Sequence, residues 1–420
     1  MTRVSILSIS DNAGGASRAA YRLYRALRSK QVSARMMVHV KKTDDWTVSG
    51  PSTTFGKARK LLRSKFGAGV MRLQTSPNLN MHSVNLLPSN LAASLNRSDA
   101  DVVNLHWVAG EMMSIEDLGR LRKPVIWTLH DMWAFCGAEH VTEDGPQARW
   151  RTGYRRENRA PDAGGLDLDR YTWLRKQRAW TRAFQIVTPS QWLANCVQSS
   201  SLMKDWPVSV IPNVLDLTVF KPLDQAWCRH VLNLPVDGKI VLFGAQGGAR
   251  DQNKGYDLLV EALTILNQRR MQANLSCMVL GQSEPQHASA VPYPVRWMGQ
   301  IGDDFTLALL YGAADVVIIP SRRENLPQSG TEAHACGCPV VAFNCTGLPD
   351  VVEHGVTGYL AEPYRPEDLA RGIAWVLEDR RRAQALGAAA RERAERLWSA
   401  ASVIPAYLDA YAAARAAGGG

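Results

Sequence analysis

The sequence predicts an α/β protein built from two Rossmann-like domains, and three observations carry that prediction. Short apolar runs of strand length alternate with segments of helical period in both halves, as parallel sheets joined by crossover helices require. At 420 residues the chain is too long for one ordinary core and suits two domains of similar size. Three prolines within sixteen residues, in Asp205-Trp206-Pro207, Ile211-Pro212-Asn213 and Phe220-Lys221-Pro222, mark a boundary near the middle.

In the first half, Val4 to Ile9 reads as a buried strand. A turn with Gly14-Gly15 leads into a helix with Ala19, Ala20, Leu23 and Leu27 on one face. Further strands are expected at Met36 to Val40, Val102 to Leu105, Val125 to Leu129 and Ile186 to Thr188. In the second half strands at Ile240 to Gly244, Leu275 to Leu280, Val316 to Ile319 and Val340 to Phe343 alternate with helices. Those helices are Tyr256 to Gln268, Phe305 to Gly312, Gly330 to Ala335 and Pro366 to Glu378, and a helical Ala/Arg-rich tail runs from Arg380 to Ala417. The expected division is 1–207, 208–395 and a C-terminal helix within 396–420.

An apolar content of 46% with 21% charged residues belongs to a globular protein. No apolar run approaches the roughly 20 residues that span a bilayer. Met-Thr-Arg leads directly into a strand and does not read as a signal peptide. Seven scattered cysteines show no zinc or disulfide spacing, so the expected compartment is the reducing cytoplasm. The net charge of +10 is uneven: through Ile211 there are 30 Lys and Arg against 17 Asp and Glu, and beyond it 19 against 22. So basic a first half expects an acidic partner: a phosphate-bearing acceptor, an anionic membrane or nucleic acid.

The most informative stretch runs from Pro320 to Val341. A buried run ends in Pro320-Ser321, and Glu324 and Glu332 follow with seven residues between them, the second on a helix closed by Gly337. Strand, loop and helix start is where α/β proteins hold phosphate, because free N–H groups and the helix dipole face the anion. Carboxylates beside such a site suit hydroxyls on either side of the phosphate. In the second domain, the opening strand leads through Gly244-Ala245-Gln246-Gly247-Gly248 to Arg250 and Lys254-Gly255, where glycines admit a phosphate and a Lys supplies a mobile cation. In the first domain Gly14-Gly15 follows the first strand. His106-Trp107 and the run Thr128-Leu129-His130-Asp131-Met132-Trp133 end adjacent strands, at the crevice where such sheets bind ligands.

The carboxylate spacing, followed by Cys336-Gly337-Cys338-Pro339-Val340-Val341, Thr346-Gly347-Leu348-Pro349-Asp350 and Gly358-Tyr359-Leu360, resembles the retaining glycosyltransferases of family 4. The resemblance implies the GT-B fold: two Rossmann-like domains facing across a cleft, with the last helix crossing back to the first domain. It implies a nucleotide-diphosphate sugar as donor, with Glu332 on the ribose, Glu324 on the transferred sugar, and Lys254 on the diphosphate. N–H groups near Asn325 and Leu326 would assist. Family members carry an Arg straight after the strand's glycine, where this chain has Ala245, so Arg250 is the substitute available. Gly14 and Gly15 correspond to the first glycine loop, beside donor and acceptor. The Thr-Leu-His-Asp-Met-Trp run is similar to a subset that builds bacterial exopolysaccharide and O-antigen, which puts His130 beside the reacting sugar. His106, Asp131 and Trp133 are then acceptor-side candidates.

Further along, the Arg-rich segment to Arg182, with Trp150, Tyr154, Tyr171, Trp173 and Trp180, suits either sugar stacking or packing of a long loop. Asp99-Ala100-Asp101 and Asp167-Leu168-Asp169 do not follow the strand that would place a divalent metal on the donor phosphates, and neither metal nor other cofactor is expected. Phe55, Leu62, Phe66, Val70 and Leu73 fall on one helical face with Lys57, Lys60, Arg63, Lys65 and Arg72 largely off it. Such a helix either lies on an anionic inner-membrane leaflet or packs its apolar stripe inward. The acceptor expected is a glycan or a lipid-diphosphate-linked glycan in cell-surface polysaccharide synthesis, and nucleic acid is not an expected partner. The alternatives are an epimerase or phosphorylase of the same fold, or a basic non-enzymatic protein binding membrane or nucleic acid. A dehydrogenase lacks support because no G-x-G-x-x-G follows the first strand.

Overall fold

A computed structural model describes residues 2–51, 53–244, 251–271, 274–284 and 291–418, without the side chains of Phe55, Lys57, Arg59 and the terminal helical glycine. Arg250 and Ala245 lie outside the described residues. The chain divides into two compact units, Met1–Val214 with Val403–Gly420, and Leu215–Ser402.

The first unit is a parallel sheet in the order β3-β2-β1-β5-β6-β8-β9. Its strands are β1 (Arg3–Ser10), β2 (Ser33–Val40), β3 (Val48–Ser49), β5 (Val102–Leu105), β6 (Val125–Thr128), β8 (Gln185–Thr188) and β9 (Val208–Val210). A separate antiparallel pair joins β4 (Gln74–Thr75) to β7 (Gly164–Gly165). The apolar runs become strands because they are covered on both faces: β5 and β6 are buried at every position. After β1 the helix Gly15–Ser29 turns Ala19, Ala20, Leu23 and Leu27 onto the sheet. The expected boundary at 207 moves to Val214 because β9 pairs in register with β8 beyond Pro207.

Between Cys136 and Arg182 most of the aromatic side chains pack into the core and do not form an open sugar-stacking loop. It contains the helices Arg149–Thr152 and Leu168–Ala179, and Trp150, Tyr154, Trp173 and Trp180 are buried, while Tyr171 is half-exposed. Lys176 is fully enclosed; its ammonium donates to the carbonyls of Trp133, Cys136 and Gly137 and lies 3.9 Å from the centre of the Trp133 ring. Burial lowers its pKa to about 7.

The second unit is a parallel sheet in the order β12-β11-β10-β13-β14-β15. The strands are β10 (Lys239–Gly244), β11 (Leu275–Leu280), β12 (Val295–Trp297), β13 (Val316–Ile319), β14 (Val340–Phe343) and β15 (Gly358–Ala361). Sequence periodicity misses β12 and β15, both short edge strands. β15 opens on Gly358 because a methyl group there would lie 1.9 Å from the Val340 carbonyl oxygen. The helical tail breaks at Ser399, whose extended backbone separates Arg380–Trp398 from Ala400–Gly418. Trp398 belongs to the second core, so that unit runs past 395. The last helix then returns to the first unit, where the Tyr411 hydroxyl accepts from Asn104 Nδ2 (3.0 Å) and that of Tyr407 meets Thr128 Oγ1 (3.3 Å). Asn104 and Thr128 each stand two residues before a histidine, so this helix braces the strand ends that carry His106 and His130.

Candidate active site

In the second sheet the chain moves outward from β10 to β11 and β12, then crosses to the other side of β10 for β13. The crevice at the carboxyl ends of β10 and β13 is therefore the topological switch point, where open α/β sheets take ligands. Two loops meet there. Asp251 caps the short turn Gln252–Lys254, and Gly255 follows in the left-handed region at φ 64°. A methyl group at Gly255 would lie 1.9 Å from the Pro320 carbonyl oxygen, so the close approach between the loops requires glycine there.

The loops are stitched further. Arg322 N–H donates to the Asn253 carbonyl (2.8 Å) and Asn253 Nδ2 to that of Arg323 (2.8 Å), while the Arg322 guanidinium pairs with Asp257 (2.6 Å). Within this frame Lys254 Nζ is 2.6 Å from Glu324 Oε1, which also accepts from Ser321 Oγ (3.0 Å). The carboxylate holds the Lys254 pKa above its ordinary value, so the side chain is a cation throughout neutral pH. Thr346 and Gly347 fix the Glu324 backbone: Glu324 N–H donates to Thr346 Oγ1 (3.1 Å) and Gly347 N–H to the Glu324 carbonyl (2.9 Å). Asn325 and Leu326 lead into the helix Gln328–Ala335, which carries Glu332 one turn in. Glu332 is buried, and its Oε2 accepts from the hydroxyl of Tyr311 (2.8 Å) on the helix Asp304–Ala313. Lys254, Glu324, Asn325, Leu326 and Glu332 thus gather at one sheet end. Ser321, Thr346 and Tyr311 are supports that motif spacing alone does not disclose.

The first unit has a second constellation. Its switch point lies between β1 and β5, with Gly14 at φ 81° capping the first helix and His106 just beyond β5. His106 Nδ1 is 2.9 Å from His130 Nε2, and the two rings stack. Burial lowers both imidazoles, His130 to about 4 and His106 well below its usual value, so both are neutral at pH 7. Asp131 Oδ2 accepts from Trp107 Nε1 (2.8 Å) and lies 2.6 Å from His140 Nδ1; His140 Nε2 is 2.8 Å from Ser83 Oγ. This chain holds Asp131 ionised and its loop fixed, with His140 as its unforeseen member. Trp133 is buried, and its indole N–H is taken by the Ser83 carbonyl. It packs the loop rather than presenting a face. His106, His130, Asp131 and His140 line one small cavity.

Both acidic triplets are engaged elsewhere. Asp99 and Asp101 pair with Arg3 and Arg35 before β5 begins. Asp167 caps the helix Leu168–Ala179 and pairs with Arg149 (2.7 Å), and Asp169 accepts from Gln74 (2.6 Å).

Residues 13–219 match the model of Glycosyltransferase Family 4, and residues 229–393 match that of Glycosyl transferases group 1. The D-inositol 3-phosphate glycosyltransferase of Thermobispora bispora is 29% identical over 219 residues, 48% of this chain; the match spans only half of that relative's length. Among solved structures, the sucrose-phosphate synthase of Thermosynechococcus elongatus superposes with a TM-score of 0.67 at 20% identity, covering 98% of this chain and all of that one. HepE of Anabaena, solved with UDP-glucose, gives 0.64 at 16% identity with the same coverage. At these identities the structural likeness establishes the fold, two parallel α/β units of GT-B type.

Proposed function

Because the chain belongs to the family 4 glycosyltransferases of the GT-B fold, we propose that it moves a sugar, with retention of configuration, from a nucleotide-diphosphate sugar to a lipid-diphosphate-linked or free glycan in cell-surface polysaccharide synthesis. The observation that carries this reading is the cation–carboxylate pair at the second switch point, Lys254 to Glu324 at 2.6 Å, with Glu332 on the helix that follows. A phosphate needs the cation and the N–H groups, and the hydroxyls of ribose and sugar need the carboxylates. Lys254 stabilises charge as it develops on the leaving diphosphate, with Arg250 the second cation proposed. Glu324 accepts from the transferred sugar and Glu332 from the ribose. His130, neutral and hydrogen-bonded to His106, orients a sugar hydroxyl.

The acceptor oxygen attacks the anomeric carbon on the face the diphosphate leaves. The carbon–oxygen bond to phosphate breaks, and the hydroxyl proton passes to the departing phosphate oxygen. Positive charge spreads over ring oxygen and anomeric carbon in the transition state. We propose that no metal takes part. The basic first half supports an acceptor that itself carries phosphate, met at the cytoplasmic face of a membrane. Since HepE is solved with UDP-glucose, uridine diphosphate sugars are the first donors to test. The experiment is incubation with a panel of nucleotide-diphosphate sugars and a lipid-diphosphate acceptor, following products by mass and by proton NMR. Release of nucleoside diphosphate with a new glycoside of retained configuration is expected. An epimerised donor, or a sugar phosphate formed with inorganic phosphate, would replace this reading with an epimerase or a phosphorylase.

A further inference from the structure

The helix Thr54–Met71 sits on the first unit with its polarity reversed from ordinary packing. Its inward stripe is Gly56, Lys60, Arg63, Gly67 and Val70, at helical spacing, and its outward face carries leucines and a phenylalanine. Arg63 is the anchor: its guanidinium donates to the carbonyls of Glu111 (3.0 Å), Pro88 (2.8 Å) and Leu87 (2.7 Å). Gly67 permits the close approach, since a methyl group there would lie 2.7 Å from Glu111 Cγ. These contacts of Arg63, with Lys60 Nζ reaching the Val38 carbonyl (3.5 Å), remove both cations from the exposed set that the sequence suggests; the side chains of Phe55, Lys57 and Arg59 lie outside the described residues.

Outward, Leu61, Leu62 and Phe66 are 58%, 66% and 48% exposed, and Leu73 just past the helix is 56% exposed. Leu166, also 56% exposed, continues the patch, because its N–H donates to the Leu73 carbonyl (2.9 Å). Lys65 and Arg72 are exposed on the same face. A soluble surface helix buries such a stripe, so this one is built to be covered.

We infer that this outward face docks the first unit on an anionic lipid leaflet. Charge selects that occupant. No Asp or Glu occurs between Asp45 and Asp99, and Lys65 and Arg72 stand exposed beside the leucines and phenylalanine of the outward face. A basic helix with exposed Leu and Phe seats its apolar face at the boundary of headgroups and acyl chains, with Lys and Arg among the phosphates. The inference deepens the lipid-linked acceptor reading and rests on it for its purpose, yet the geometry and its test are independent of turnover.

The test is co-sedimentation of the full chain with vesicles of phosphatidylcholine alone, or of phosphatidylcholine and phosphatidylglycerol in equal parts, at low and high salt. Wild type should pellet with the mixed vesicles at low salt and release at high salt. Lys65→Glu with Arg72→Glu should weaken binding on the order of 25-fold or more, about fivefold for each charge removed. Leu62→Ser with Phe66→Ser should weaken it by at least about tenfold. All four positions are exposed, so both variants should keep the wild-type melting temperature and nucleoside diphosphate affinity. The inference is overturned if wild type ignores the mixed vesicles, or if either variant binds them like wild type. It is equally overturned if sedimentation shows the face buried against a second copy, with Leu62→Ser and Phe66→Ser yielding a monomer. A chain that binds vesicles but consumes no sugar donor would uphold the docking face and sink the catalytic reading instead.

Discussion

Lys254 and Glu324 neutralise each other across 2.6 Å, and the diphosphate proposed to bind here would compete for the same ammonium. Glu324→Ala therefore frees Lys254: transfer should be abolished while affinity for a nucleoside diphosphate holds or rises. Glu332→Ala should instead weaken nucleotide binding by about 1–3 kcal/mol, the cost of leaving ribose hydroxyls without an acceptor. Calorimetry with free nucleoside diphosphate separates the two, and equal behaviour of both variants would remove the division of roles. Burial lowers His130 to about 4, so its neutral imidazole should not titrate near pH 6.5 in the enzyme. Histidine NMR should show it unchanged from pH 8 to 5; a transition close to 6.5 would mean that the imidazole is more solvated than its place beside His106 implies.

The switch-point loops and the histidine strand ends act as elements, and their sequence signals differ in kind. Lys254-Gly255 is legible because its glycine cannot be replaced: it lies in the left-handed region, and a Cβ there would come within 1.9 Å of the Pro320 carbonyl oxygen. Gly255→Ala should accordingly cost at least about 1–3 kcal/mol in urea unfolding and lose donor affinity with it. The Asp131–His140–Ser83 chain is illegible in sequence because it joins the loop after β6 to Ser83, about fifty residues earlier, and only the fold brings the two together. The outward face of the helix Thr54–Met71 is half legible: periodicity finds an apolar stripe, but only the Arg63 contacts reveal which side faces in.

The histidine strand ends also give stability a pH dependence. His130 has a folded pKa near 4 against 6.5 unfolded, so the unfolded chain binds the extra proton between those values and stability falls as pH drops through that window. Glu139 runs oppositely: burial and the nearby Asp169 carboxylate push it to about 8 from 4.5, so the native state holds the proton and stability falls as pH rises through that range. Urea midpoints across pH should show His130→Asn with a flatter acid side and Glu139→Gln with a flatter neutral side than wild type. Parallel curves for all three would refute both assignments.

At the scale of the whole chain, the last helix ties a remote segment to the first unit through Tyr411 to Asn104 and Tyr407 to Thr128. Removing 403–420 should lower the thermal midpoint of the first unit, and Tyr411→Phe alone should cost about 1–3 kcal/mol by leaving a buried amide short of an acceptor. The tail's helical character is plain from its Ala and Arg content, whereas its break at Ser399 has no sequence signal beyond one serine. The proposed metal independence is a property of the intact enzyme: turnover should survive excess EDTA. A complete, Mg²⁺-reversible loss would bring Asp167 and Asp169 back into the chemistry.

We propose that the second unit's switch point holds the donor's diphosphate against Lys254. Titration of a panel of nucleoside diphosphates into wild type and Lys254→Ala tests it most directly. At least one nucleoside diphosphate should bind wild type, with affinity lower by about tenfold or more in Lys254→Ala, as expected for a lost charge-assisted contact. Binding of equal strength to both proteins, or no binding by any member of the panel, would contradict it.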